Sequence, residues 1–187
     1  MKFIDLESQR LIYRKFNEDD FPIVFDWTSN AENMKYREES LSESQTHAYL
    51  TNYLIFNENS ENIDHFEYAV ERKSDHKLIG AAVMMHLPDN PEIAWTLHRN
   101  YWRQGYGTEM GRTMLKLGFD EFNFHRITAV CQADNLGSWG IMEKIGMRRE
   151  AHYIKSEKGN STRNHEWCDG FLYAILKEEW LAVQQGK

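Results

Sequence analysis

The run Tyr101-Trp102-Arg103-Gln104-Gly105-Tyr106-Gly107-Thr108-Glu109 joins a strand-like segment, Glu92–Leu97, to a helical one carrying Met114, Leu115 and Phe119. A strand that passes through a glycine-bearing turn into a helix leaves the first backbone N–H groups of that helix unpaired, at the positive end of its dipole. That is a ready seat for a phosphate or pyrophosphate. Glycine at 105 and 107 lets the main chain approach an anion with no Cβ in between, and accepts positive φ where the turn demands it. The same glycines suit a turn built only for tightness, so the segment by itself leaves both readings open. Two familiar phosphate motifs do not fit. A P-loop carries Lys and Ser/Thr after its last glycine, where this chain has Thr108 and Glu109. A dinucleotide fingerprint needs a third glycine where this chain has Met110, and Gly111 falls one residue late. A nucleotide-binding enzyme of either type is disfavoured.

At 187 residues, 41% of them hydrophobic and 13% aromatic, the chain can bury the core of one ordered domain. No apolar run approaches the length of a membrane span, and the N-terminus lacks a basic stretch followed by an apolar one. A soluble, cytoplasmic protein with no membrane partner is the expectation. The formal net charge of −7 argues against a nucleic-acid surface, and its field favours cationic partners such as amines, polyamines or basic peptide ends. Cys131 and Cys168 are far apart and unpatterned, as reduced core thiols are. Of the eight histidines only His165-x-x-Cys168 has ligand spacing, and one such pair without a second does not make a zinc site. No metal is expected.

Along the chain, Gln9–Lys15 alternates as a first strand, and Asn17-Glu18-Asp19-Asp20 supplies the cap and first-turn acids of a helix carrying Phe21, Val24, Phe25 and Trp27. Ser42 opens a second helix with Tyr49, Leu50, Tyr53 and Leu54 on one face, which the polar run Asn57–Asn62 ends in a loop. His65–Glu71 and Leu78–Leu87 read as strands joined by the turn Ser74–Lys77. Pro88, Asn90 and Pro91 punctuate before Glu92–Leu97, and the helix after the glycine turn reaches about Phe122. His125–Cys131 is β-rich, Asp134-Asn135 caps a short helix over Ser138–Lys144 that Gly146 ends, and Arg148–Lys155 and Trp167–Ile175 close the chain as paired strands. These pieces predict one α+β domain over residues 1–187, built on a mixed, mostly antiparallel sheet.

In this order the pieces resemble the GNAT N-acetyltransferase superfamily, and within it the RimJ/RimL-like group of ribosomal-protein N-terminal acetyltransferases. The likeness is carried by Arg10-Leu11-x-x-Arg14 with Glu18-Asp19-Asp20, and by Glu92-Ile93-Ala94-Trp95-x-Leu97 with Tyr101-Trp102 and Gly105-Tyr106-Gly107-Thr108-Glu109. It continues in His125-Arg126-Ile127-x-Ala129, Asn135-x-x-Ser138, Glu143-Lys144-x-Gly146 and Trp167-x-Asp169-x-x-x-Tyr173-x-x-Leu176. The family's pyrophosphate loop usually begins with Gln or Arg; here Trp102 stands first and the arginine follows at Arg103.

The resemblance implies a sheet with splayed central strands flanked by helices, and acetyl-CoA as co-substrate. Backbone N–H groups from about Arg103 through Gln104, Gly105, Tyr106 and Gly107 to Thr108 would hold the pyrophosphate. Pantetheine would lie like an added strand against the backbone of Trp95, Thr96 and Leu97. Asn135 would contact pantetheine or its loop, unless it is a plain N-cap. The implied reaction is acetyl transfer to a primary amine, of a small molecule or a protein N-terminus. Glu92, at the head of the splayed strand, is the candidate base, against the plainer reading of a solvated strand-end carboxylate; Asp89 is a weaker substitute. A backbone N–H near Trp95–Leu97 would serve the developing oxyanion. Many members carry a tyrosine for the leaving thiolate where this chain has Met142, and Ser138 matches the substitute proposed in the subgroup, against a simple packing role. Of the aromatics in the first two helices and their connection, Tyr36, beside Arg37 and Glu38, is the candidate acceptor contact. Dimers are frequent in the superfamily, and the closing strands offer an edge for a homodimer. A different class of reading, a catalytically idle CoA-binding sensor or scaffold, stays open because Met142 cannot donate a proton.

Overall fold

A computed structural model describes residues 3–37, 39–58 and 64–185 of the chain. Its strands are β1 (Leu6–Glu7), β2 (Leu11–Arg14), β3 (His65–Arg72), β4 (Lys77–Met85), β5 (Glu92–Leu97), β6 (Arg126–Gln132), β7 (Arg148–Lys158) and β8 (Trp167–Leu176). They form one sheet in the order β1-β2-β3-β4-β5-β6-β8-β7. Neighbours are antiparallel except β5 and β6, so the sheet is mixed and mostly antiparallel, as the alternating segments predict. The helices are α1 (Phe21–Thr28), α2 (Ala31–Met34), α3 (Glu43–Glu58), α4 (Tyr106–Lys116), α5 (Leu136–Lys144) and α6 (Lys177–Gln184). None of the described helices is long and apolar enough to cross a membrane.

Two apolar layers sandwich the sheet. On one face Met110, Met114 and Leu115 of α4 and Met142 of α5 pack against Ile93, Ile127 and Ala129. On the other, Val24 and Trp27 of α1 and Leu50 of α3 pack against Ala69, Leu78 and Ala81. Being covered twice, β3 and β4 are apolar on consecutive positions as well as alternate ones. The acids before α1 act as the sequence suggests. Asn17 and Asp20 form a reciprocal capping box, and Arg14 grips the nearly buried Asp20 through two hydrogen bonds of 2.8 Å while its Nε donates to Glu71 at 2.9 Å.

The feature that builds the site is a failure of pairing. β5 and β6 share a single register pair, Glu92 with Thr128, fixed by the Thr128 N–H donating to the Pro91 carbonyl at 2.9 Å. β4 follows β5 from Glu92 to Leu97, and β8 follows β6 from Arg126 to Gln132, so each inner strand stays anchored while the two part.

The elements missed in the sequence are short or terminal. β1 has two residues and α2 four, below what periodicity resolves, and α6 follows directly on β8. α3 takes in Asn57 and Glu58, which the polar run assigned to a loop; residues 59–63, and the side chains of Tyr53 and Leu54, lie outside the described set. The helix after the glycine turn does run toward Phe122, but Leu117–Glu121 widens into a π-turn.

The β4–β5 register rests on a close approach. A Cβ on Gly80 would run into the backbone oxygen of Thr96, which cannot swing aside. Gly140 in α5 has open space around the same position. Gly80→Ala is therefore expected to lower the unfolding free energy by about 2 kcal/mol, and Gly140→Ala to raise it by about 0.5–1 kcal/mol. Urea denaturation checks both; equal effects of the two substitutions contradict the register argument.

Candidate active site

The connection from β5 to α4 leaves the chain's helix N-terminus open. Trp102 is extended, Arg103 has φ 58°, and Gly105, with φ 82°, is the N-cap of α4. A glycine cap has no side chain to offer, and the first intrahelical bond runs from the Glu109 N–H to the Gly105 carbonyl at 3.1 Å. The N–H groups of Tyr106, Gly107 and Thr108 are thus the free donors of the terminus, facing out beside the exposed Trp102, Arg103, Gln104 and Gly105. Gly107 also has a packing part that its spacing did not suggest. It lies inside the helix, and a Cβ there would come within 2.5 Å of Ile141 Cδ1, so its bareness seats α4 against α5.

A brace that the sequence did not reveal fixes this loop. Glu109 points away from the open terminus and accepts from Ser8 Oγ, the Arg10 N–H and Arg10 Nε, each at 2.7 Å. Arg10 Nη1 in turn donates to the Gln104 carbonyl at 3.0 Å, and its guanidinium lies 4.3 Å from the centre of the Tyr106 ring. One arginine therefore holds both sides of Gly105. Burial raises the Glu109 carboxyl, but the bonds from Ser8 and Arg10 outweigh it and leave the pKa below its ordinary value. Arg72 stacks 4.9 Å from the Tyr101 ring; it is ion-paired with Asp75 as Arg10 is with Glu109, and Arg103 stands exposed on the loop.

Ladder alternation orients the gap between β5 and β6. The His98 N–H donates to Ile79 of β4 at 2.9 Å, so Thr96 and Ala94 also turn to β4 while Trp95 and Leu97 turn their N–H groups to the gap. The Leu97 carbonyl, on that edge, already accepts from Asn33 Nδ2 at 3.0 Å and Trp102 Nε1 at 2.7 Å. Side chains divide in the same way. The Trp95 ring lies within 3.5 Å of where Gly111 of α4 would carry a Cβ, whereas Thr96 Oγ1 accepts from Arg37, just beyond α2.

Glu92 and Ser138 reach the gap from opposite faces. Glu92 shares its face with Thr96 and Thr128, the side of α1 to α3. Burial holds its carboxyl above the ordinary carboxylate range, with His86 opposing and Glu157 adding to the rise. Ser138 stands in the first turn of α5 on the other side and hydrogen-bonds the buried Cys131 thiol, whose pKa burial pushes up to about 11. Asn135 is the N-cap of α5, its Oδ1 accepting from the Ser138 N–H at 3.1 Å. Met142 is buried in the core. Asp89 is exposed on the loop before β5.

Tyr36 is half-buried where α2 meets the loop before α5, its hydroxyl donating to the Asp134 carbonyl at 3.3 Å. Arg163 lies 5.4 Å from that ring and 2.7 Å from Asp134 Oδ2, and Asn160 Nδ2 ties the segment down by donating to the Met34 carbonyl at 2.8 Å. Glu38 lies outside the described residues. Trp27 is core, as its helical spacing suggests. Among the described residues no group of three or more His, Cys, Asp or Glu side chains could hold a metal ion; Cys168 instead accepts from Arg163 Nη2 at 3.1 Å.

Residues 10–148 match the family model of an acetyltransferase (GNAT) domain. The uncharacterized N-acetyltransferase YnaD of Bacillus subtilis is 36% identical over 94% of this chain and 98% of its own. The crystal structure of a GNAT-family acetyltransferase from Bacillus anthracis superposes with a TM-score of 0.80 at 32% identity, covering 94% of this chain and 99% of that one. Spermidine N-acetyltransferase from Vibrio cholerae, solved with CoA and spermine, shares the fold at 17% identity and a TM-score of 0.76, over 93% and 99% of the two chains.

The Glu109 brace has a pH signature. A carboxyl held below its unfolded value contributes stability in full above that value and loses it as pH falls through the folded one. Glu109→Gln is expected to lower the unfolding free energy by about 1–2 kcal/mol at neutral pH, the gap to wild type narrowing below about pH 4. Urea titrations at several pH values check this, and a pH-independent gap contradicts it.

Proposed function

The chain belongs to the GNAT acetyltransferase family, and from that premise we propose that it moves the acetyl group of acetyl-CoA to a primary amine by direct attack on the thioester. The observation that carries this reading is the arrangement around the split sheet. An open helix N-terminus lies at one end of the gap, outward-turned amides line one edge, and a carboxylate and a hydroxyl approach from opposite faces.

In this reading the N–H groups of Tyr106, Gly107 and Thr108 bind the diphosphate, helped by Arg103 and Gln104, and Gly105 keeps them exposed. The N–H groups of Trp95 and Leu97 pair with pantetheine, and one of them holds the carbonyl oxygen as negative charge gathers there. The carbonyl of Thr96 belongs to β4, so its part is to keep the strand in place. Asn135 fixes the first turn of α5 and with it Ser138. Acetyl-CoA supplies the activated acyl group. Glu92 takes a proton from the amine, directly or through a water, as the C–N bond forms and the C–S bond breaks; Ser138 donates a hydrogen bond to the departing sulfur. Base and donor on opposite faces keep the acceptor and the thiol from competing for the same side of the sheet. Much of the rate then comes from holding amine and thioester together.

The acceptor is the free amine of a protein N-terminus, to which the RimJ/RimL-like motifs point, or of a small molecule; the spermidine enzyme with the same fold is named for an acceptor of the second kind. Tyr36 stands at the mouth where either would enter. The outer edge of β7 is the place for a homodimer contact. The idle CoA-binding reading draws on Met142, buried where many relatives carry tyrosine, and differs in giving no thiol release with any amine.

Thiol release from acetyl-CoA across a panel of amines and peptides tests the proposal. Glu92→Gln is expected to cut kcat by about 100-fold and Ser138→Ala by roughly 10-fold, each leaving CoA affinity nearly unchanged. Because the base must be ionised, kcat/KM should rise with pH along a limb lying above the ordinary carboxylate range, and Glu92→Gln should abolish that limb. Unchanged turnover in either variant removes that residue from the mechanism.

A further inference from the structure

We propose that Gln132 and Glu157 form the acceptor subsite, receiving the ammonium group of a cationic amine on the face of the sheet that carries Glu92. The proposal rests on the amine-acetylating reading above and specifies its substrate class.

Gln132 is the last residue of β6, only 6% exposed, and its side-chain carbonyl oxygen is buried without a hydrogen-bond partner. An orphaned buried amide oxygen costs about 1–3 kcal/mol, so it marks a place where a donor is missing. Its direction follows from the ladder. Gln132 stands two alternations beyond Thr128, the register partner of Glu92, so the Gln132 and Glu92 side chains share the α1–α3 face of the split.

Glu157 arrives at the same place through an irregularity in β7. The β7–β8 register slips between Tyr153 and Glu157, and Lys155 in the slipped stretch has φ 47°. Beyond the slip Glu157 pairs with Cys168, and its carboxylate turns over Gly170, where a Cβ would lie 3.2 Å from Glu157 Oε1. Gly170 is the register partner of Gln132. A bare glycine thus lies between the orphaned oxygen and the carboxylate, with Ser156 Oγ and Glu157 Oε1 both reaching over it, 3.0 and 3.2 Å from where its Cβ would stand. While the rest of β7 is almost wholly exposed, Glu157 is half-buried.

Apart from the Ser156 hydroxyl, which can donate or accept, the groups gathered here are of one kind. Gln132 Oε1 and the carboxylates of Glu157 and Glu92 are all acceptors, and an ammonium offers three donors and the opposite charge. Of the guanidiniums near this face, Arg163 is ion-paired with Asp134 and donates to Cys168 while its buried Nε has no hydrogen-bond partner, and Arg37 donates to Thr96. An acceptor with a carboxylate of its own would meet two like charges. The subsite therefore selects amines whose far end is cationic or neutral over zwitterions of the same length.

Calorimetry on CoA-saturated protein, with 1,4-diaminobutane and 4-aminobutyrate as length-matched probes, tests the assignment. The diamine is expected to bind at least about 10-fold more tightly. In acetyl transfer to the diamine, Gln132→Leu and Glu157→Gln should each raise KM roughly 5- to 10-fold with kcat little changed. Gln132→Glu, which keeps an acceptor oxygen there, should hold KM at or below the wild-type value. Equal binding of the two probes, no diamine binding to CoA-loaded protein, or equal damage from Gln132→Leu and Gln132→Glu overturns the subsite. Failure to bind CoA at all overturns instead the reading on which it rests.

Discussion

β5 and β6 keep one register pair and then diverge, while β4 and β8 hold their outer edges in continuous ladders. The inner edges beyond Glu92 and Thr128 therefore carry backbone groups aimed at a gap and not at a strand. A sheet ordinarily closes such a split, because leaving main-chain polar groups without partners is costly. Here it is wedged from both ends. Thr128 grips Pro91 at the apex, and at the open end the Leu97 carbonyl is tied back by Asn33 and the Trp102 indole. In the proposed reading the gap is filled by pantetheine, which has amide groups of its own.

The loop at the open end meets an electrostatic demand that the whole chain works against. The protein carries a formal charge of −7, yet its open helix terminus is flanked by Arg10, Arg72 and Arg103. Glu109, the one acid in the first turn of α4, turns back to Ser8 and Arg10 instead of competing for the terminal amides. The acidic groups gather on the other side of the split, at Glu92 and Glu157, which suits an anionic donor and a cationic acceptor arriving from different directions.

Much of the fold was legible because its signals are local. The turn between β3 and β4, the caps at Asn17 and Asn135, and the glycine turn at 105 each state their role within a few residues. The site was legible only where such a local signal marked it. Arg10 stood out as part of a pattern, but nothing near it in sequence announces a bond to Gln104, 94 residues away. Gln132 reads as an ordinary strand-end polar residue until the register shows the bare Gly170 beside it, and Glu157 comes level with Cys168 only because β7 slips by two residues. The packing part of Gly107 was hidden for the same reason, since the Ile141 contact behind it belongs to another helix. Spacing reports what one element does, and the missing information lay between elements.

The central claim is that amides on two separate elements, the edge of β5 and the start of α4, bind one molecule of CoA. Backbone amide NMR during a CoA titration tests it most directly. The account predicts saturable shifts, with a common midpoint, at Trp95, Leu97, Tyr106, Gly107 and Thr108, and slowed exchange at those amides in the complex. Saturation with these five resonances unmoved, or shifts confined to α4 with β5 untouched, contradicts it.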